Sequence, residues 1–273
     1  ATARGTLPGP LASLVESLSV APLVGDTWTR VNAYIPTAVL WCLAALPLLF
    51  LAKLPKPAPP PASAVAVSPL AGVLGTLRSL PQTPSLLWFL AAMFLYFDVV
   101  HTVQIQMGAY SKFAVGFTDG ETQKLLIAAT AVAVLGGLFY GFLCQKVSIR
   151  TATLVSLGNW ILVFVLALVV TSKTAFYGVG FLAGIGLGGL KVTSRLGLVA
   201  LVPKDRMAEF FGFFTLAGEA ASVIGPLLWA AALSFFPDKS PTGYRVALLT
   251  LFVFLILALV AFLRVRFEDA PAE

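Results

Sequence analysis

Seven stretches of this sequence stay apolar over a length that can cross a lipid bilayer. A membrane-spanning helix needs about 20 predominantly apolar residues, whereas a strand of a membrane barrel alternates apolar and polar side chains. The stretches are continuous and show no such alternation. They are about Ile35–Ala52, Leu86–Met107, Leu125–Cys144, Thr151–Val170, Phe176–Leu201, Phe210–Phe236 and Val246–Leu263. The predicted fold class is therefore an all-α integral membrane protein with seven transmembrane helices.

The composition excludes an ordinary soluble protein. Of the 273 residues, 59% are hydrophobic and 11% are charged, whereas globular proteins carry about 25% charged residues. The lipid bilayer is thus the first predicted partner, and the net charge of +6 is not taken as a sign of nucleic-acid binding. No catalytic Ser/His/Asp set, metal-ligand spacing or phosphate-binding loop fits the membrane context. We predict no enzyme activity, no metal and no cofactor.

The placement of basic residues predicts the orientation in the membrane. Of the 18 Lys and Arg residues, eleven fall in segments on one side and seven on the other, if the first helix ends in the cytoplasm. Cytoplasmic segments carry the excess of Lys and Arg. We therefore predict a multi-pass protein of the bacterial inner membrane, or of a vacuolar or other intracellular membrane if the source is eukaryotic.

The predicted segments are asymmetric in order. They are an outer loop or processed N-terminal end (1–34), a single transmembrane helix (35–54), a Pro-rich cytoplasmic linker (55–84), a six-helix transmembrane bundle (85–266) and a cytoplasmic tail (267–273). Within the linker, Leu70–Leu80 is either an amphipathic helix on the membrane surface or a tether. The order is that of a twelve-helix transporter from its sixth helix onward. We expect the last six helices to form one half of a major facilitator fold, with an N-terminal six-helix half on the same or a separate chain as partner.

The glycines of the fifth stretch predict close helix packing. Their spacing resembles a dinucleotide-binding loop, but such a loop must follow a strand and open a helix, and this one lies inside a membrane span. Gly180, Gly184 and Gly188 recur every four residues and form one flat stripe that lets another helix approach. In the sixth stretch, Gly225–Pro226 predicts a bend whose freed backbone lines a cavity.

Two charged residues of neighbouring predicted helices are expected to meet. Lys191 and Glu219 lie on consecutive antiparallel helices, at depths where each charge costs about 2.5–3.5 kcal/mol. A contact between them offsets much of that cost. The pair is either a static ion pair that fixes packing or one that opens when a substrate or proton binds. Arg195 is predicted to hold the cytoplasmic end of its helix at the headgroups.

The second stretch carries three polar residues on one helix face. Asp98 and His101 are three residues apart, and Gln104 continues the same face. Because histidine titrates near neutral pH, a carboxylate beside it predicts a proton relay. The alternative is that His101 hydrogen-bonds Asp98 or a backbone carbonyl and never changes charge. Together with Lys191 and Glu219, these residues are the predicted site for a substrate or a coupling ion.

Several short motifs between Gly186 and Pro226 resemble one known family. They are Ser194–Arg195, Val202–Pro203 followed by Lys204, Ala208–Gly212 and Ser222–Pro226. They are similar to motifs of the vacuolar effluxer-like branch of the major facilitator superfamily, whose founding members are autophagy-related proteins of fungal vacuoles that export amino acids. Phe94–Thr102 is similar to a stretch in the seventh helix of that branch. The resemblance covers about Ile35–Leu263 and implies the C-terminal half of a transporter.

Two positions depart from that branch, which usually has Gln in place of Lys191 and Lys in place of Glu219. Amino-acid transport therefore does not carry over to this chain unchanged. The function we predict is secondary active transport, by alternating access, of a small polar or charged solute, with proton-coupled symport as its form. The alternative is a non-transporting half that scaffolds or regulates a partner in the membrane.

Overall fold

The computed structural model describes residues 83–267 and, before them, Ala38, Val39, Cys42, Leu43 and Leu46. The chain divides into two compact units, Ala1–Val67 and Ser68–Glu273. The five described residues of the first unit are helical. The rest of the predicted helix 35–54 lies outside the described residues, as do most of the linker 55–84 and residues 268–273.

The described part of the second unit is all-helical. Its helices are α1 (Pro84–Tyr110), α2 (Asp119–Lys146), α3 (Ile149–Val169), α4 (Lys173–Leu201), α5 (Met207–Ala221), α6 (Ile224–Ser234) and α7 (Pro241–Leu263). A π-helical turn, Ser111–Val115, extends α1, and α5 and α6 together make one crossing. Six segments in residues 83–267 are thus long and apolar enough to cross a membrane. This confirms the last six predicted helices, and the helix 35–54 remains a prediction.

Polar caps fix where the helices begin. The Thr118 side chain accepts a hydrogen bond from the backbone N–H of Glu121, and the Glu121 carboxylate accepts one from the backbone N–H of Thr118. Ser148, Ser172 and Ser240 cap α3, α4 and α7 in the same way through their hydroxyl oxygens. Because the first turn of a helix has N–H groups with no partner inside the helix, such caps fix the residue at which each of these helices begins.

The most buried span is α1, which contacts α4, α5, α6 and α7. Its polar atoms find partners on α3. The Tyr110 hydroxyl donates to the carbonyl oxygen of Ala167 at 2.7 Å, and the Tyr96 and Ser156 hydroxyls share a hydrogen bond of 2.8 Å. Since hydrogen bonds replace water in this apolar interior, these contacts set the rotation of α1 about its axis and thereby place its other polar residues.

The glycine stripe of α4 packs against α2. A Cβ atom added at Gly184 would lie 2.5 Å from the carbonyl oxygen of Ala129, and one at Gly188 would clash with the α2 backbone around Ala133. At Gly180 it would clash with the Leu125 side chain. A larger residue at Gly184 or Gly188 must therefore push the two helices apart, whereas at Gly180 the Leu125 side chain can shift instead.

The crossing formed by α5 and α6 is interrupted at Ser222–Val223, three residues before Pro226. Proline has no N–H to donate to the carbonyl four residues earlier, and its ring collides with that carbonyl, which here belongs to Ser222. The helix therefore breaks at Ser222 and restarts at Ile224. In the last turn of α5, the Ser222 hydroxyl and backbone N–H both donate to the carbonyl oxygen of Glu219, at 2.6 and 3.2 Å.

Candidate functional site

The interruption of the α5–α6 crossing is bonded to α1 through a carboxylate. Asp98 is fully buried, and its Oδ1 accepts a 2.7 Å hydrogen bond from the backbone N–H of Gly225. Gly225 is the second residue of α6, where N–H groups have no partner inside the helix and the helix dipole is positive. The negative charge of Asp98 is thus placed where a helix start stabilises it. The break frees a backbone N–H that a side chain of α1 binds. That the freed backbone also lines a cavity stays a prediction.

Only glycine fits beside this carboxylate. A Cβ atom at position 225 would collide with the Thr102 hydroxyl and lie 2.9 Å from Oδ2 of Asp98. The Thr102 hydroxyl is itself fixed, because it donates to the backbone carbonyl of Asp98 at 2.7 Å. The second carboxylate oxygen, Oδ2, is buried and has no hydrogen-bond partner among the described residues. The site therefore holds one satisfied and one unsatisfied carboxylate oxygen.

Aromatic contacts bring His101 close to α5. Phe97 packs edge-on against Phe214, with ring centroids 5.4 Å apart, and it lies 3.8 Å from the position of a Cβ atom at Gly218. The His101 ring lies 5.9 Å from the Phe97 ring and is half-buried. The charges of Glu219, Lys191 and Asp98 all act on the His101 imidazole. Three of the predicted residues thus act on the fourth, His101.

The predicted ion pair between Lys191 and Glu219 is wrong. Ion pairs within residues 83–267 join Lys112 to Asp119, Lys173 to Glu121 and Arg206 to Glu209, and none joins Lys191 to Glu219. Both side chains are exposed on the surface of the described bundle, because the rotation of α4 and α5 about their axes turns them outwards and not towards each other. The bundle presents one positive and one negative group separately.

Arg195 lies one turn beyond Lys191 on α4 and is exposed. Its charge acts on Lys191, so the two basic groups share one side of the helix. It lies six residues before the end of α4 at Leu201, inside the helix and not at its terminus. On the face formed by Lys191 and Arg195 of α4, His101 of α1 and Glu219 of α5, Lys191 therefore lies next to a second positive charge and takes part in none of the ion pairs within residues 83–267.

Gln104 is exposed one turn beyond His101 and borders a cavity of about 170 Å³. The cavity lies between α1, α2, α3 and α4, and most of its lining is apolar, for example Val103, Leu126 and Ala183. Trp160, another lining residue, has a buried indole N–H with no hydrogen-bond partner within residues 83–267. A polar edge next to an apolar cavity is the usual build of a small-molecule site.

Sequence reasoning missed the bond between Asp98 and Gly225, as well as Thr102 and this cavity. One signal for the bond was available. A proline that interrupts a membrane helix leaves a new helix start that needs an acceptor, and Asp98 is a carboxylate in a neighbouring span. In the described residues no three His, Cys, Asp or Glu side chains are grouped so that they can hold a metal ion.

Comparisons with known proteins agree with a transporter fold. The family model described as "Vacuole effluxer Atg22 like" matches residues 22–273. The chain is 29% identical over 185 residues to the "Uncharacterized MFS-type transporter YxiO" of Bacillus subtilis (strain 168), and the match covers 68% of this chain and 43% of that protein. It is 24% identical over 308 residues to autophagy-related protein 22 of Yarrowia lipolytica (strain CLIB 122 / E 150), which covers 99% and 50%.

A solved structure has the same fold. It is the crystal structure of a bacterial homologue of the human lysosomal transporter Spinster, in an inward-facing and unoccupied conformation, with a TM-score of 0.56 and 16% sequence identity. The match covers 95% of this chain and 66% of that chain. The chain spans about half the length of the curated relatives it matches.

Proposed function

This chain belongs to the Atg22-like vacuole effluxer family, and we propose on that premise that it forms the C-terminal half of a secondary transporter. The whole transporter moves a small polar or charged solute across the membrane by alternating access. Membership of an effluxer family and MFS-type relatives support a transporter and not an enzyme. In a bacterium the membrane is the inner membrane, and in a eukaryote it is that of the vacuole or another organelle.

The charged face made by α1, α4 and α5 carries this proposal. Lys191 and Glu219 are exposed there and unpaired among the described residues. In contact with lipid, each would cost about 2.5–3.5 kcal/mol. Chains keep such residues where they face a partner or a water-filled path. We therefore place an N-terminal six-helix half opposite this face, with the solute held between the two halves.

The placement of Glu219 favours a role in binding a cationic group. It lies in the last turn of α5, where the helix dipole is negative and makes a carboxylate less favourable. A positive group of the solute relieves that repulsion, and Lys191 offers the complementary charge to a negative group. Gln104 and its neighbouring apolar cavity provide hydrogen bonding and room for an uncharged part of the solute.

Asp98 and His101 are our candidates for ion coupling. They lie one turn apart on α1, and Oδ2 of Asp98 can take a proton without losing a hydrogen bond to the described residues. The charged groups that act on His101 are Glu219 of α5, Lys191 of α4 and Asp98 itself, while Asp98 is bound by the N–H of Gly225. Exchange of a proton between Asp98 and His101 is the chemistry that this arrangement supports.

Protonation of Asp98 has a structural consequence in this proposal. A hydrogen bond to a charged acceptor is about twice as strong as one to a neutral acceptor. When Asp98 takes a proton, its bond to the Gly225 N–H weakens, and α6 is held less firmly against α1. Since the break at Ser222–Val223 lies next to Glu219, proton binding would move the helix segment that carries the proposed solute-binding carboxylate.

Reconstitution tests the function directly. The full-length chain, or this chain together with its N-terminal half, is placed in proteoliposomes and screened with amino acids first, then sugars and metal ions. We expect exchange of one polar or charged solute, which Lys191→Gln and Glu219→Gln each abolish. Lys124→Gln, which removes an exposed charge from α2, is the matched control and keeps transport. Absence of exchange for every solute class in a folded preparation would favour the scaffold alternative.

A further inference from the structure

Three elements meet at one end of the bundle and bring arginines together. The N-terminal parts of α1 and α3 and the end of α7 lie at the same membrane surface, because the six crossings alternate in direction. There, the Arg264 guanidinium lies over the Trp88 ring at 4.4 Å from its centroid. Arg150 donates a 3.4 Å hydrogen bond to the carbonyl oxygen of Leu263. The carbonyl that Arg150 binds thus belongs to the residue directly before Arg264.

The chain beyond α7 is held in place around these arginines. Val265 is fully buried, and its N–H donates to the carbonyl oxygen of Phe262 at 3.0 Å. The Phe267 ring packs edge-on against Phe89 of α1, with centroids 6.3 Å apart. Arg264 and Arg266 on either side of Val265 are exposed. The guanidinium of Arg264 is therefore fixed by its own stacking and by the buried residue that follows it.

These arginines have no acidic partner in the described part of the chain. Of the basic residues at this end, Arg206 is paired with Glu209 at 2.8 Å. Arg150, Arg264 and Arg266 take part in none of the ion pairs within residues 83–267. Fixed guanidinium groups without a carboxylate attract an anion, and their planar fork suits the oxygens of a phosphate.

An apolar face leads away from the arginines along α7. Leu263, Val260, Leu257 and Val253 are all exposed, at 50, 45, 48 and 53%. They recur every three or four residues and so share one side of the helix. Trp88 is half-buried at the position where tryptophan prefers the boundary between headgroups and acyl chains. The positive charge at the end of α7 matches the headgroup of an anionic phospholipid, and the apolar side chains along α7 match its acyl chains.

We propose that Arg150, Arg264 and Trp88 form a binding site for an anionic phospholipid. The two guanidinium groups bind the phosphate of the headgroup, and the exposed face of α7 contacts an acyl chain. By the positive-inside rule this end of the bundle faces the cytoplasm, whose leaflet supplies anionic lipids. None of these three residues takes part in the transport proposal, so the site does not depend on it.

Native mass spectrometry of the full chain in detergent tests the site, with phosphatidylglycerol and phosphatidylcholine as probes. We expect phosphatidylglycerol to bind more tightly. Arg150→Gln/Arg264→Gln should bind it roughly thirtyfold more weakly, because the loss of each basic group should lower the affinity about five- to sixfold. Arg264→Lys, which keeps the charge but loses the fork, should fall between the two. The control Lys124→Gln at the other end of the bundle should bind as the wild type does.

Four results would overturn the site. Equal binding of the two lipids, or equal weakening by Lys124→Gln, would leave only unspecific attraction. Displacement of the lipid by inorganic phosphate at millimolar concentration would make this a site for a free anion. The fourth result is binding of phosphatidylglycerol by Glu268→Gln/Asp269→Asn but not by the wild type. It would mean that the acidic tail of the chain itself binds the arginines.

Discussion

Two carboxylates of the same bundle differ in almost every physical respect. Asp98 is fully buried, and the N–H of Gly225 at the start of α6 binds it. Glu219 is exposed in the last turn of α5 and takes part in no ion pair among the described residues. The helix dipole stabilises the charge of Asp98 and destabilises that of Glu219. A charge in a membrane span can thus be kept for the fold or for a partner, and burial distinguishes the two cases.

The largest effect on stability is expected at Gly225. In Gly225→Ala, the added methyl group collides with the Thr102 hydroxyl and approaches Asp98. We expect a loss of about 1–3 kcal/mol in the free energy of unfolding, as for other overpacked positions. The matched control is Gly212→Ala in α5, where a Cβ atom meets open space and alanine favours the helix. Thermal unfolding of the full chain in detergent measures both, and equal midpoints would contradict the tight fit.

The next-largest effect on stability is expected when Asp98 is replaced. Asp98→Leu leaves the N–H of Gly225 buried without an acceptor, which costs about 1–3 kcal/mol, whereas Asp98→Asn keeps a neutral acceptor. Hydrogen exchange of the Gly225 amide should therefore speed up by between about fivefold and a hundredfold in Asp98→Leu. It should speed up less in Asp98→Asn. Unchanged exchange in both variants would mean that Asp98 does not hold α6 in place.

The smallest effect on stability is expected for Lys191 and Glu219. Because no ion pair joins them, Lys191→Gln and Glu219→Gln should each change the free energy of unfolding by less than about 0.5 kcal/mol. Their effects should add within about 0.5 kcal/mol in a double-mutant cycle. A larger coupling energy would mean that Lys191 and Glu219 interact, as the sequence predicts. Glu219 would then be held by a partner in the bundle, as Asp98 is.

The helices of the second unit were predictable because each crossing is an apolar run, and every crossing except α5–α6 has a capped or Pro-marked start. The break in the α5–α6 crossing was predictable from Pro226, although it falls at Ser222–Val223, because proline acts on the carbonyl four residues earlier. The side chain that binds the broken end was not visible in the sequence. Asp98 and Gly225 lie 127 residues apart, and no local pattern links them.

The relation between Lys191 and Glu219 escaped prediction for a different reason. Whether two side chains on neighbouring helices meet depends on how each helix is rotated about its axis. In a soluble helix the apolar stripe fixes that rotation. In a membrane span with apolar residues on all sides, the rotation is set by a few polar and glycine contacts, such as those of Tyr96 and Gly188. Those contacts become known only with the fold.

Transport by two single variants tests the different roles of the two carboxylates most directly. In proteoliposomes of the full-length transporter, solute counterflow and accumulation driven by a pH gradient are measured for Asp98→Asn and Glu219→Gln. We predict that Asp98→Asn keeps counterflow and loses accumulation, because it still holds Gly225 but cannot carry a proton. Glu219→Gln should lose both, because it no longer binds the solute. Full counterflow in Glu219→Gln, or accumulation in Asp98→Asn, would contradict the account.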